Sequence, residues 1–295
     1  MRVCLACNQV FGGAEWRCPE CHWTPEVRAG YLAFSPDVAT GDGGFSGQFF
    51  GELARLEEGH FWFENRNRLI TWALREYFPR AESLLEIGTG TGFVLAGIRR
   101  ACPTLRLCGS DIYTEALPFA ELRLSGVLLM QLDARCLPFE CEYDVLGAFD
   151  VLEHIQEYQE VLWRMYRACR PGGGILVTVP QHRFLWSAQD DYAFHKRRFT
   201  REELVREVRR VGFSILRVTS FVTLPFPLLL LSRLRKRKGA DFDPYSEVRL
   251  QPTVNAILGA IVAVERFAIA RGLILPFGGS LLLVGKRDAP GSSPP

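Results

Sequence analysis

The sequence lacks an excess of charge, a leader segment and a long apolar run. Its 35 lysines and arginines face 33 aspartates and glutamates, a net charge of +2, which excludes a uniformly basic nucleic-acid coat protein. No basic run followed by an apolar stretch opens the chain, so we expect no signal peptide and a cytoplasmic location. We also expect neither apolar segment near the C-terminus to reach the roughly 20 residues that cross a bilayer.

A disordered composition is absent as well. Hydrophobic residues make up 48% of the 295 residues and charged residues 23%, which gives enough apolar surface for a large core. The length exceeds that of one minimal domain. It suits one full α/β domain with an accessory module.

The cysteines cannot form a closed disulfide set, because their number, nine, is odd. Four of them form two Cys-x-x-Cys pairs, Cys4 with Cys7 and Cys18 with Cys21. Two such turns place four thiolates around one tetrahedral ion. We therefore predict a structural zinc ribbon over residues 1–28, with reduced surface thiols as the alternative hypothesis. The adjacent His22 is an alternative ligand to Cys21.

Seven short apolar segments after this ribbon predict strands that alternate with helices. This alternation predicts a parallel sheet covered by helices on both faces. The predicted strands are 83–87, 106–111, 127–132, 143–149, 174–179, 213–222 and 280–285. The predicted helices include one that ends at residue 77 and those over 93–101, 153–169, 200–211 and 254–270.

A glycine-rich turn follows the first strand of this series. Its glycines, Gly88, Gly90 and Gly92, allow close approach of a ligand and present backbone amides at a helix N-terminus. The spacing departs from the dinucleotide pattern G-x-G-x-x-G, and Glu86 lies within the motif. Asp111 ends the next strand, where a carboxylate accepts hydrogen bonds from ribose hydroxyls.

These motifs resemble those of the class I S-adenosylmethionine (SAM)-dependent methyltransferases. The resemblance covers residues 49–287 and includes a segment over 149–154 and a turn over 170–174 in the family's order. It implies a Rossmann-like seven-stranded sheet and SAM as the cofactor. It also implies that SAM is held by Glu86, Gly88, Gly90, Gly92, Asp111, Ile112, Asp133, Ala134 and Asp150.

The domain organisation follows from these segments. The residues after the ribbon, 29–47, are rich in glycine and predict a linker. We predict the SAM-binding core over 48–222 and the last core strand over 280–288. A helical insertion, 223–279, precedes that strand, and residues 289–295 form a predicted disordered tail.

The acceptor site is predicted beside the strand ends. By the family resemblance, the loop 180–200 walls the acceptor pocket, and Tyr192 within it is a candidate substrate contact. His195 is the first candidate base and His154 the second, each with core packing as the alternative. Upstream, Trp62 could stack on SAM or substrate, with packing of its ring onto the sheet as the alternative, and Arg66 could pair with a carboxylate or phosphate.

The insertion combines an apolar segment with a basic run over 224–238. This combination is typical of a membrane-surface anchor, and a cap over the acceptor pocket or a dimer face is the alternative. The insertion has a further, distant similarity to those of methyltransferases that act on lipid-linked or polyketide-like acceptors.

Three functions follow as hypotheses. We favour methyl transfer from SAM to a small-molecule or lipid-linked acceptor, with contact to the inner membrane surface. The second is an rRNA guanine methyltransferase that docks RNA through its zinc finger, which the ribbon's balanced charge disfavours. The third is a SAM-binding scaffold without catalysis. The sequence does not fix the oligomeric state.

Overall fold

The computed structural model describes residues 1–13, 15–37, 45–235 and 249–289. Its strands are β1 (Arg2–Val3), β2 (Val10–Phe11), β3 (Glu26–Arg28), β4 (Tyr31–Ala33), β5 (Ser83–Ile87), β6 (Arg106–Asp111), β7 (Leu128–Gln131), β8 (Tyr143–Phe149), β9 (Cys169–Pro180), β10 (Ser214–Phe221) and β11 (Ser280–Lys286). Its helices are α1 (Gly47–Glu57), α2 (Phe61–Tyr77), α3 (Phe93–Ala101), α4 (Leu117–Arg123), α5 (Tyr158–Ala168), α6 (Ala188–Tyr192), α7 (Arg201–Arg210), α8 (Phe226–Arg235) and α9 (Pro252–Ala270).

The central sheet has the strand order β10-β11-β9-β8-β5-β6-β7-β4-β3. Strands β5 to β9 pair in parallel, whereas β11 is antiparallel to both β9 and β10. The seven predicted strands are all present and form the expected α/β architecture. The predicted number of seven is nevertheless too small, because the β3–β4 hairpin pairs with the edge strand β7 and extends the sheet to nine strands.

Alternate residues of the strands pack on opposite faces of the sheet, as the two-residue repeat of a strand requires. On β5, Leu85 and Ile87 belong to a core cluster that includes residues of α5 and α7. Leu84 belongs to the opposite cluster, with residues of α2, α3 and α4. All five residues of β5 are buried, so the turn that follows it starts from a rigid position.

Several predicted boundaries differ from the structure. The predicted helix over 153–169 is shorter, because Leu152–His154 is a 3₁₀ turn and α5 starts only at Tyr158. Strand β9 already starts at Cys169, which pairs with Tyr143 of β8. The predicted linker over 29–47 contains β4, whose Leu32 pairs with Met130 of β7.

The N-terminal segment packs on the core rather than extending from it. The Val3 amide donates to the Pro138 carbonyl at 2.9 Å. The Trp16 ring lies edge-on to those of Phe34 and Phe139, at centroid distances of 4.6 and 5.7 Å. The segment therefore covers apolar side chains at the β7–β4 edge of the sheet.

The insertion forms α8 and α9, and α9 lies against α2. Asn255 accepts a hydrogen bond from the Phe61 amide at 2.8 Å, and Arg266 donates to Asn65 at 2.6 Å. The buried carboxylate of Glu265 accepts three backbone N–H bonds from residues 222–224, at 2.6 to 2.8 Å. These contacts fix α9 against α2 and against the end of β10.

The sequence-based expectation about membrane length is wrong for α9. This helix has 19 residues and, by its length and composition alone, is long and apolar enough to cross a membrane. Only 17% of its most apolar 18-residue stretch is buried in the described structure. The predicted basic run lies mostly in residues 236–248, and the predicted tail mostly in residues 290–295; both ranges lie outside the described residues.

Candidate active site

The strand ends and the helices above them enclose a cavity of about 630 Å³. It lies at the carboxyl edge of the parallel strands, where ligands bind in open α/β sheets. Of the residues predicted to hold SAM, all but one line this cavity: Glu86, Gly88, Gly90, Asp111, Ile112, Asp133, Ala134 and Asp150. The four residues Trp62, Arg66, His154 and His195 line it too.

The glycines of the turn occupy three different environments. All three have positive φ, between +52° and +76°, which favours glycine. A Cβ on Gly88 would come within 2.5 Å of Val151, and one on Gly92 within 2.8 Å of the Ala120 backbone. A Cβ on Gly90 would meet nothing within 4 Å. Gly92 is the N-cap of α3 and does not line the cavity, whereas Gly90 borders open space there.

Two buried carboxyl groups lie beside this turn. The Asp111 carboxylate accepts hydrogen bonds from the amides of Gly90 and Tyr113, at 2.8 and 2.9 Å. Burial raises the pKa of Asp111 to about 6, although these backbone donors oppose the shift. Glu86 accepts a bond from the Thr89 hydroxyl at 2.7 Å, and burial raises its pKa to about 8. Both groups therefore hold protons more tightly than carboxyl groups in water.

A third carboxylate follows β7. Asp133 caps the 3₁₀ turn Ala134–Cys136 by accepting from the Arg135 amide at 2.8 Å. The Arg135 guanidinium also binds it, with a shortest distance of 2.7 Å. These bonds hold the Asp133 side chain in one orientation at the edge of the cavity.

The fourth carboxylate, Asp150, follows β8 at a positive φ of 57°. It accepts hydrogen bonds from the Thr178 hydroxyl at 3.2 Å and from the Arg66 guanidinium. The guanidinium carbon of Arg66 also lies 4.4 Å from the centre of the Trp62 ring. Arg66 was predicted to pair with an anionic substrate, and in the structure its charge is matched by a carboxylate of the protein.

Two imidazoles also line the cavity. The rings of His154 and His195 lie edge to face with centroids 4.7 Å apart. Nδ1 of His195 lies 2.9 Å from the Asp190 carboxylate, which Arg198 also binds at 2.7 and 3.1 Å. Burial would raise the pKa of Asp190, but the bonds from His195 and Arg198 hold it well below its usual range. Burial lowers the pKa of His154 to about 3, so this ring is neutral at neutral pH.

Glu153 lies directly beside these imidazoles. Its side chain is fully buried, and neither carboxylate oxygen has a hydrogen-bond partner among the described residues. Burial, and next the charge of Asp150, raise the pKa of Glu153 well above its usual range. Sequence reasoning did not select this residue, although it precedes a candidate base.

An aromatic roof closes the cavity from above. The Phe45 ring is stacked on that of Phe49 at 4.1 Å and lies edge-on to those of Tyr113 and Phe194, at 5.9 and 5.5 Å. Tyr192, a predicted substrate contact, does not line the cavity; its ring lies 6.4 Å from that of Phe49. Aromatic rings therefore line the cavity beside the imidazoles.

The four cysteines of the ribbon converge as predicted. Cys4 Sγ lies 3.5 Å from Cys21 Sγ, and Cys7 Sγ lies 3.6 Å from Cys18 Sγ. All four sulfur atoms lie within 4.8 Å of one another. Four thiols at this spacing suit a tetrahedral zinc ion. His22 is exposed and is not part of this cluster.

Comparison with known proteins identifies the family. The family described as methyltransferase domain matches residues 54–218, more than half of the chain. The chain belongs to the class I SAM-dependent methyltransferases. This result confirms the family and the cofactor class that the motifs predicted.

Curated relatives of this methyltransferase match only in part. A probable S-adenosylmethionine-dependent methyltransferase of Mycolicibacterium smegmatis is 26% identical over 167 residues, 54% of this chain and 62% of the relative. A ubiquinone/menaquinone biosynthesis C-methyltransferase of Erwinia tasmaniensis is 31% identical over 127 residues, 39% of this chain and 51% of the relative. The chain therefore spans little more than half the length of these relatives.

Solved structures show the same fold. The methyltransferase superposes on phosphoethanolamine N-methyltransferase 2 of Haemonchus contortus in complex with SAM, with a TM-score of 0.54 and 21% identity. That match covers 82% of this chain and 57% of the other. A possible histamine N-methyltransferase of Thermotoga maritima gives a TM-score of 0.52 at 17% identity, over 82% and 97% of the chains.

Some site residues were missed because no motif contains them. Glu57, at the end of α1, accepts from Thr91 and from Arg123, at 2.5 and 2.6 Å, and ties the roof to the glycine turn. Asp190 and Arg198 lie in the predicted acceptor loop, but only the folded loop shows that they orient His195. An acidic residue at the end of an amphipathic helix is usually solvated, so nothing in the sequence pattern distinguishes Glu57.

Proposed function

We propose that this methyltransferase transfers the methyl group of SAM to a small-molecule or lipid-linked acceptor. One observation carries the proposal: a single cavity is lined both by the glycine turn with its carboxylates and by two imidazoles with a cluster of aromatic rings. The first set suits SAM, and the second suits an apolar acceptor with a polar reacting group.

In this proposal Gly88, Gly90 and Glu86 hold the methionine part of SAM. Asp111 accepts hydrogen bonds from the ribose hydroxyls, Asp133 and Ala134 contact the adenine, and Asp150 lies near the sulfonium. Gly92 supports the turn from below. These roles combine the resemblance of the motifs with their place along the cavity.

The proposed reaction needs alignment more than acid–base chemistry. The acceptor atom attacks the methyl carbon, the bond from sulfur to that carbon breaks, and S-adenosylhomocysteine leaves. If the acceptor is a hydroxyl, its proton must be removed. His195 is the candidate base, because Asp190 holds its Nδ1 and leaves Nε2 as the proton acceptor. Trp62 and the aromatic roof would exclude water from the methyl group.

Exposed apolar residues support a membrane-associated acceptor. On α9, Ile257, Val264 and Phe267 are 56%, 63% and 59% exposed and lie on one face of the helix. Leu228 of α8 is 57% exposed. A soluble monomer rarely exposes a contiguous apolar face of this kind. We propose that this face, with the basic run that lies between α8 and α9 in the sequence, rests on an anionic membrane surface.

We propose that the ribbon binds one structural zinc ion. Its four thiols are the donor set, and the ribbon is too small to fold on its own core. Because Trp16 packs on Phe34 and Phe139, the zinc would stabilise the β3–β4 edge of the sheet. This packing favours a structural role for the ribbon over RNA docking.

Methyl-labelled SAM tests the proposed function. The purified zinc-loaded protein is incubated with three fractions from its source organism: membrane lipids, water-soluble metabolites and total RNA. We expect label in the lipid or metabolite fraction and its loss in an Asp111→Asn variant. The matched control is Asp144→Asn, which alters a carboxylate at the opposite edge of the same sheet, where it accepts from Ser83.

The three hypotheses give different results in this experiment. Label in RNA would contradict the proposal and support the RNA methyltransferase. Tight SAM binding without label in any fraction would support the scaffold. Label that persists in Asp111→Asn but disappears in Asp144→Asn would contradict the placement of SAM.

A further inference from the structure

Glu153, His154 and His195 bring one carboxylate and two imidazoles to one point. One ligand atom of each residue lies within 4.8 Å of the others. Ligands that bind one ion at about 2.1 Å are at most about 4.2 Å apart. Closure around an ion would therefore require shifts of less than about 1 Å, which side-chain rotation supplies.

Glu153 has no counter-charge of its own in the described structure. Both of its oxygens are buried, and among the described residues no residue other than Glu153 itself donates a hydrogen bond to them. The two arginines that act electrostatically on it, Arg66 and Arg198, are each bound to another carboxylate, Asp150 and Asp190. A buried carboxylate in this position is strongly unfavourable unless a cation or a proton neutralises it.

Both histidines are prepared as ligands. Nδ1 of His154 is buried without a hydrogen bond of normal geometry, and the backbone carbonyls of Ala193 and Asp150 are the polar groups nearest this ring, so an ion would compete with them for it. His195 has its Nδ1 held by Asp190 at 2.9 Å, and Arg198 holds Asp190 in turn. A carboxylate that holds one ring nitrogen fixes the orientation of a metal-binding histidine and leaves the other nitrogen for the ion.

We propose that Glu153, His154 and His195 bind a divalent transition-metal ion at the acceptor end of the cavity. Two imidazoles and one carboxylate suit ions such as Mn²⁺, Fe²⁺ or Zn²⁺ better than Mg²⁺, which prefers oxygen ligands. Because both histidines line the cavity, the ion would face the acceptor and keep positions open for an acceptor oxygen. His195 would then be a ligand rather than the base.

Mn²⁺ binding tests this proposal without SAM or acceptor, so its outcome is separate from that of the proposed function. The full chain first receives one equivalent of Zn²⁺, which the four thiolates of the ribbon take up. Mn²⁺ is then titrated, and the loss of the free-ion signal is followed by electron paramagnetic resonance. We expect one further ion per chain.

The variants Glu153→Gln and His195→Gln should weaken Mn²⁺ binding by a factor of at least about 100. Two controls should bind as the wild type does. Glu160→Gln changes a nearby carboxylate that pairs with Arg164, and His22→Asn changes an exposed imidazole of the ribbon. Circular dichroism at near-ultraviolet wavelengths checks that each variant is folded.

Two results would overturn the proposal. The first is a wild-type protein that takes up no Mn²⁺. The second is equal uptake by the wild type and by a folded Glu153→Gln or His195→Gln variant, since the ion would then be bound elsewhere. In either case the buried Glu153 would be neutral through protonation.

Discussion

At the scale of single residues, two glycines of the same turn have different surroundings, and we expect Gly90 to serve binding and Gly92 to serve the fold. Gly90 borders open space beside the cavity, and its amide donates to Asp111 at 2.8 Å. Gly92 packs against the backbone of Ala120. The two glycines belong to the same motif, so the sequence predicts the same role for both. Only the packing of α3 on α4 distinguishes them.

Alanine substitutions should reveal this difference. Gly90→Ala should weaken SAM binding, because the new methyl group takes space beside the cavity, and should destabilise the fold by only about 1–2 kcal/mol of backbone strain. Gly92→Ala should lower the melting temperature more, because its Cβ meets backbone that cannot move away. Thermal melts and SAM titrations of both variants check this. Equal melting temperatures would contradict the structural role of Gly92.

The buried Glu86 predicts a pH-dependent stability. Its pKa is about 8 in the folded protein, against an ordinary value of 4.5. The folded state therefore binds a proton more tightly than the unfolded state, and the free energy of unfolding falls as pH rises from about 4.5 to 8. The Glu86→Gln substitution removes this fall in the free energy of unfolding, because glutamine does not ionise. Without SAM, the variant should be more stable than the wild type at pH 9, and the two should be similar near pH 4.5.

Urea unfolding at both pH values measures the effect, with the exposed Glu82→Gln as the control. A stability gain for Glu86→Gln that is as large near pH 4.5 as at pH 9 would show that ionisation is not its cause.

At the scale of elements, the sequence predicted strands best where burial is complete. Strands β5, β6 and β8 and helix α3 match their predicted bounds, because each is a mostly buried, mostly apolar segment. The β3–β4 hairpin was missed. Each of its strands has only three residues, too few for a repeat, and its place depends on pairing with β7 and on the packing of Trp16.

The zinc ribbon should stabilise this hairpin edge. One zinc ion per chain should remain after dialysis against metal-free buffer, and Cys18→Ser should lose it and lower the melting temperature. Cys18 is fully buried, so the lost ligand cannot be replaced by solvent. Cys102→Ser, outside the cluster, is the control. Retention of zinc by Cys18→Ser would contradict the four-thiolate site.

Helix α9 should mediate membrane binding through its exposed face. A triple variant, Ile257→Ser with Val264→Ser and Phe267→Ser, should lose most co-sedimentation with anionic liposomes, because it removes three apolar contacts with the bilayer interface. Leu122→Ser is the control, since Leu122 is 86% exposed but lies on α4, outside this face. Binding that survives the triple variant would exclude this face as the anchor.

At the scale of the whole molecule, the methyltransferase core carries segments outside its motifs, namely the ribbon, the helices and loops above the cavity, and the insertion. The core and its cavity could be predicted because their motifs occur in order along the chain. The roof aromatics, the Asp190–Arg198 pair and the unpaired Glu153 could not, because they depend on loops and helices that meet only in the folded chain. These additions surround the part of the cavity that we propose binds the acceptor, so the acceptor is the part of the function that the motifs leave open.

Calorimetric titration with SAM tests the central claim most directly. We predict one SAM per chain for the wild type and for Asp144→Asn. Asp111→Asn should bind at least about tenfold more weakly, a loss of roughly 1.4 kcal/mol, because it removes the negative charge proposed to bind the ribose hydroxyls. Absence of SAM binding by the folded wild type, or unchanged affinity in Asp111→Asn, would contradict the assignment of this cavity.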